Sequence, residues 1–65
     1  MKTIYKEKRN YTYKYEYQFT GYGLNAEPIY LEYETKFNIA NGVKYFRKFT
    51  RYVTENGKTY NSYIR

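Results

Sequence analysis

Tyr11, Tyr13, Tyr15, Tyr17 and Phe19 occupy every second position, with Thr12, Lys14, Glu16 and Gln18 between them. Successive side chains of a strand point to opposite faces, whereas a helix repeats every 3.6 residues. Aromatics at period two therefore gather on one side only if the segment is a β-strand. Gly21-Tyr22-Gly23 breaks the alternation, and residues through Pro28 read as a loop. A second alternation follows, with Ile29, Leu31, Tyr33, Thr35, Phe37 and Ile39 set against Tyr30, Glu32, Glu34, Lys36 and Asn38. Pro28 and Gly42 stand where helix caps belong. The apolar positions nevertheless fall at period two, and strand is the reading they support.

Two Asn-Gly pairs locate the turns and, with them, the registers. A two-residue turn at Asn56-Gly57 sets Glu55 opposite Lys58, Thr54 opposite Thr59, Val53 opposite Tyr60 and Phe49 opposite Ile64, all favourable cross-strand pairs. At Asn41-Gly42 a two-residue turn works badly, since it opposes Lys36 to Arg47 and Ile39 to Lys44. A three-residue loop, Ala40-Asn41-Gly42 with Gly42 left-handed, pairs Ile39 with Val43, Phe37 with Tyr45, Tyr33 with Phe49, Ile29 with Val53 and Glu34 with Lys48. The expected fold is all-β, a small antiparallel meander of four to five strands. Its strands run over 11–20, 29–39, 43–54 and 58–64, with a short first strand before the Arg9-Asn10 turn. Such local connectivity predicts a twisted sheet or a partly open barrel, or a half-barrel completed by a second chain.

The whole chain, residues 1–65, reads as one small β domain. A domain of this size buries only about 60% of the surface its unfolded chain exposes. It has no Cys and no His, so neither disulfides nor an ordinary structural zinc site make up the shortfall. A homodimer is one expected remedy. The N-terminal residues 1–9 are charged throughout, and no apolar run is long enough to span a bilayer. A cytoplasmic protein with no membrane association is expected, in which case the sequon Asn10-Tyr11-Thr12 is a coincidence.

The registers divide the side chains between two faces. Ile29, Leu31, Tyr33, Phe37, Ile39, Val43, Tyr45, Phe49, Val53, Tyr60 and Ile64 form the expected core, with Arg47 and Arg51 among them. Those two arginines either lay their stems on aromatics at a sheet edge or line a cationic mouth. Tyr30, Glu32, Glu34, Lys36, Lys44, Phe46, Lys48, Thr50, Tyr52 and Tyr63 form the opposite face. Aromatics interleaved with cations make a stacking platform for single-stranded DNA or RNA, because every base has a π-face and every nucleotide a phosphate. On this reading Tyr30, Phe46, Tyr52 and Tyr63 stack, while Lys36, Lys44 and Lys48 meet phosphate and Arg47 and Arg51 stand in reserve.

The net charge of +6 with all six acids Glu favours a polyanion or an acidic protein surface and argues against a DNA mimic. The chain lacks His, Cys and Asp, which removes the usual general bases, nucleophiles and metal ligands. Glu32 and Glu34 share a face, but Lys48 opposite Glu34 makes a structural ion pair of them rather than a catalytic dyad. Gly21-Tyr22-Gly23 has neither the lysine nor the helix of a phosphate loop. A non-enzymatic binding protein without cofactors is expected. Lys, Asn, Tyr, Ile and Phe make up just over half the chain, a bias of AT-rich coding that points to a phage or mobile element. The alternative is an inhibitor or adaptor that engages a host protein through the same Tyr-rich surface or an edge strand, since Tyr is also enriched at protein interfaces.

Overall fold

The computed structural model describes residues 1–60. Four strands, β1 (Ile4–Lys8), β2 (Tyr11–Tyr22), β3 (Pro28–Asn38) and β4 (Lys44–Thr54), form one open, twisted antiparallel sheet in the order β1-β2-β3-β4. There is no helix among the described residues. Among the described residues the sheet has no second layer, and the Cα radius of gyration is 13.7 Å, against about 11 Å for a compact domain of this length. Ile29 and Val53, 4% and 0% exposed, are its buried apolar residues among those described.

The first turn is as expected: Lys8 pairs with Tyr11 around Arg9-Asn10, with Arg9 at φ 58. Positive φ at the first central position alone marks a type II′ connection, whose twist suits a hairpin. The second connection, residues 23–27, is closed by hydrogen bonds from Gly23 N to Glu27 O (2.8 Å) and from Ala26 N to Gly23 O (3.0 Å). Tyr60 clasps it, its hydroxyl accepting a 3.0 Å bond from Leu24 N.

Both Asn-Gly turns differ from expectation by one residue. At the first, Asn38 N bonds to Val43 O and Gly42 N to Asn38 O, so the loop is Ile39-Ala40-Asn41-Gly42. Gly42 is left-handed as expected, at φ 72. The reason for the extra residue is Asn38, whose Oδ1 accepts from Ala40 N (2.8 Å) and Asn41 N (3.3 Å) and so draws the turn back toward β3. At the second, Gly57 N bonds to Thr54 O and Thr54 N to Lys58 O. Glu55-Asn56-Gly57 is thus a three-residue loop with Gly57 left-handed at φ 82, and Val53 pairs with Thr59 rather than Tyr60. That bridge is isolated. Of the expected strand 58–64, the pairing of Phe49 with Ile64 and the position of Tyr63 lie outside the described residues.

The centre of the β3–β4 register is as read from the sequence: Tyr33 pairs with Phe49, Glu34 with Lys48. On either side β4 carries one extra residue, Tyr45 and Thr50, so Phe37 pairs with Lys44 and Ile29 with Thr54. Each bulge moves the residues beyond it to the other face. A third bulge sits at Thr20 of β2, between Phe19 and Gly21.

Candidate functional site

The aromatic row of β2 pairs with the charged row of β3: Tyr13 lies opposite Lys36, Tyr15 opposite Glu34, Tyr17 opposite Glu32 and Phe19 opposite Tyr30. Ile4, Lys6 and Lys8 of β1 join this tyrosine face through their pairing with Tyr15, Tyr13 and Tyr11. From β4 come Phe46, Lys48, Arg51 and Val53, paired with Lys36, Glu34, Glu32 and Tyr30. The other side, the Ile29 face, carries Ile29, Leu31, Tyr33, Thr35 and Phe37 with Tyr52, Phe49, Arg47 and Lys44. Thr12, Lys14, Glu16 and Gln18 of β2 complete it.

Half of the tyrosine face is a closed hydrogen-bond network. Glu32, 5% exposed, accepts at Oε2 from the Tyr17 hydroxyl (2.7 Å) and at Oε1 from Thr50 Oγ1 (2.6 Å) and Arg51 Nε (2.9 Å). Arg51 Nη1 also donates to Thr59 Oγ1 at 2.6 Å. Burial by itself raises the Glu32 carboxyl, but the bonds from Arg51, Thr50 and Tyr17 outweigh it and hold the group below the ordinary carboxylate range. The same bond to Glu32 raises the Arg51 guanidinium. Glu34 accepts from the Tyr15 hydroxyl at 2.6 Å and pairs with Lys48 at 3.8 Å. The bond to Glu34, then burial, push the Tyr15 phenol up to about 12. For Tyr17 burial leads and the bond to Glu32 follows, again reaching about 12.

The other half, toward Asn38, is aromatic and cationic. Lys36 Nζ stands 4.0 Å from the Tyr11 ring centroid, 5.7 Å from Tyr13 and 5.8 Å from Tyr45. Tyr45 packs edge-on to Tyr11 at 5.7 Å and accepts a bond from Asn38 Nδ2 at 2.9 Å. Lys48 Nζ lies 5.1 Å from the Phe46 ring, and Lys6 Nζ lies 5.6 Å from Tyr15. An open hollow of about 440 Å³ runs between β1 and this row, lined by Lys6, Glu7, Lys8, Tyr13, Tyr15 and Glu34.

Of the residues singled out from the sequence, Lys36, Phe46 and Lys48 meet at this end of the tyrosine face. Tyr30 is on the same face at its far end, against Phe19 at 5.9 Å. The bulges overturn three placements. Lys44 and Tyr52 belong to the Ile29 face, and Arg51 leaves it for the tyrosine face. Tyr45 and Val53, placed in the expected core, also cross over, Tyr45 by its contact with Tyr11 and Val53 by its pairing with Tyr30. Arg47 stays on the Ile29 face, its guanidinium 4.3 Å from the Tyr33 centroid and 3.6 Å from Glu16. It lies on an aromatic ring and does not line a mouth. Tyr11, Tyr13, Tyr45, Lys6 and Lys8 were not singled out. The period-two spacing of Lys6 and Lys8 and of Tyr11 and Tyr13 was visible on either side of Arg9-Asn10, but the side of β3 they would join was not, and Tyr45 was hidden by the bulge it forms.

No family model, no curated protein and no solved structure matches the chain. No helix among the described residues is long and apolar enough to cross a membrane.

Proposed function

We propose that this is a small non-enzymatic protein that binds nucleic acid through the Asn38 end of its tyrosine face. The observation that carries the reading is the gathering of Tyr11, Tyr13, Tyr45 and Phe46 around Lys36, with Lys6, Lys8 and Lys48 beside them. Residues two apart on a strand are about 6.8 Å apart, twice the roughly 3.4 Å thickness of a stacked base. That spacing suits one unpaired base taken up beside Tyr11 and Tyr13, whose rings Lys36 Nζ approaches to 4.0 and 5.7 Å. Bases of a duplex, already stacked on one another, have no such access, so DNA or RNA in single strands is the preferred ligand. Along the Tyr15–Phe19 half, Arg51 and Lys48 are engaged by Glu32 and Glu34, and the proposed site is accordingly drawn at the Asn38 end. Such a role places the protein in the cytoplasm, and its AT-rich composition suits a phage or mobile element.

An inhibitor or adaptor that binds an acidic host protein is the second reading, favoured by the edge strand β1, all five of whose residues are exposed. Tyrosine fluorescence decides between them. Single-stranded DNA and RNA should quench it saturably, and affinity should fall linearly with the logarithm of salt, by a slope of about 0.7 per phosphate contacted. No response at low salt, from a chain of net charge +6, would overturn the nucleic-acid reading.

A further inference from the structure

The Ile29 face is built unlike the tyrosine face. Ile29, Leu31, Tyr33 and Phe37 of β3 adjoin Tyr52 and Phe49 of β4, and Tyr33, Phe49 and Tyr52 form a chain of edge-on ring contacts at 6.0 and 5.2 Å. Among the described residues no second layer lies over this face; Ile29 is buried within the sheet, but Phe49 remains 45% exposed. Stable domains bury such a face against another element. We propose that the Ile29 face packs against the same face of a second copy of this chain, giving a two-sheet sandwich with both tyrosine faces outward.

Three observations choose this occupant. The first is area: the molecule measures 44 by 22 Å across its two longer axes, so one face offers at most roughly 1,000 Å², against about 800 Å² per partner in a standard stable interface. The second is charge. The tyrosine face carries Lys6, Lys8, Lys36, Lys48 and Arg51 against Glu32 and Glu34 and would repel its own copy. The Ile29 face carries Lys14, Lys44 and Arg47 against Glu7 and Glu16, a smaller excess of cations, and Lys14 and Arg47 both pair with Glu16, at 3.5 and 3.6 Å. The third is symmetry. In a two-fold interface each residue that contacts another across it is contacted in return. An axis running across the strands near the Tyr33–Phe49 pair sets each apolar stripe against its own copy, at the roughly 10 Å spacing of stacked sheets. A partner whose supply is tied to the chain's own synthesis also suits a sheet with so little core.

Sedimentation equilibrium of the full chain, with Phe49→Lys and Tyr45→Lys as a matched pair, tests this. Tyr45 is 50% exposed against 45% for Phe49, so the pair replaces aromatics of similar exposure on opposite faces. Wild type should have the mass of two chains. Phe49→Lys should weaken association at least about tenfold, as expected for loss of a central aromatic anchor, and Tyr45→Lys should leave it unchanged. A one-chain mass for wild type at 100-micromolar order, or a two-chain mass for Phe49→Lys, overturns the proposal. If Phe49→Lys does not fold, the melting temperature of wild type decides: it must rise with protein concentration for a dimer, and a flat value overturns the proposal.

Discussion

The two faces of this sheet hold tyrosine in opposite ways. On one, Tyr15 and Tyr17 direct their hydroxyls onto Glu34 and Glu32, so each ring is held by a carboxylate of the neighbouring strand. On the other, Tyr33 lies between the Arg47 guanidinium and Phe49, held by packing alone. The difference comes from the residue directly opposite. A carboxylate opposite Tyr converts an exposed aromatic into a polar network, whereas an aromatic opposite Tyr extends an apolar stripe. The first face satisfies its hydroxyls over the Glu32–Glu34 half and gathers lysines at its Asn38 end; the second keeps Phe49 half-exposed.

Breaking the network should have the largest effect. Glu32→Ala leaves Tyr17, Thr50 and Arg51 without their shared acceptor and should cost about 3 kcal/mol in urea unfolding. The sign with pH follows from the direction of the shift. The folded pKa of Glu32 is lowered, so its contribution is present above the unfolded value of about 4.3 and is lost as pH falls through the folded value. Glu32→Ala should therefore flatten the acid limb of the stability profile. An unchanged limb would mean the network contributes nothing.

Next comes the clasp that closes the Ile29 end. A Cβ on Gly23 would stand within 3 Å of both Glu27 Oε1 and the Tyr60 hydroxyl, displacing two side chains at once. Gly23→Ala should cost about 1–3 kcal/mol, measured by thermal unfolding, with loss of the slow-exchanging amide expected for Leu24. A smaller effect separates the faces directly. Lys36→Glu should weaken single-strand binding at least about tenfold, or ~1.4 kcal/mol, while Lys44→Glu, on the opposite face, should change it far less. Equal losses would show that charge alone, and not the tyrosine face, governs binding.

The smallest effect at neutral pH is the titration of the phenols. Tyr15 and Tyr17 titrate near 12 rather than 10. Raised folded values mean that their stability contribution is full below pH 10 and lost as pH rises toward 12. Absorbance at tyrosinate wavelengths should show a late step that shrinks in Tyr17→Phe, and an unaltered curve would contradict the bond to Glu32.

Much of this was legible in the residues. Period two at Tyr11–Phe19 and again at Ile29–Phe37 named the strands, and Lys8-Arg9-Asn10-Tyr11 named the first hairpin, because strand pleat and turn dihedrals are local properties. The ion pair of Glu34 with Lys48 followed from the Asn41-Gly42 turn even though the loop is one residue longer, since the bulge at Tyr45 restores the expected register over Tyr33–Lys36. Lys36, Phe46 and Lys48 were placed on one face for that reason. Lys44, Tyr52 and Arg51 were misplaced because the bulges lie between them and that central stretch.

Alternation determined that the chain is all-β, the turn residues that its strands are sequential and antiparallel, and its length that it cannot bury a large core. Only the tertiary structure decided which side of β3 the tyrosines of β2 would join. It alone decided, too, where β4 takes up its extra residues. A strand's own sequence specifies two faces but not which of them meets which face of its neighbour. That choice rests on contacts between strands, such as the hydroxyls of Tyr15 and Tyr17 finding Glu34 and Glu32, and a shift of one residue reverses it.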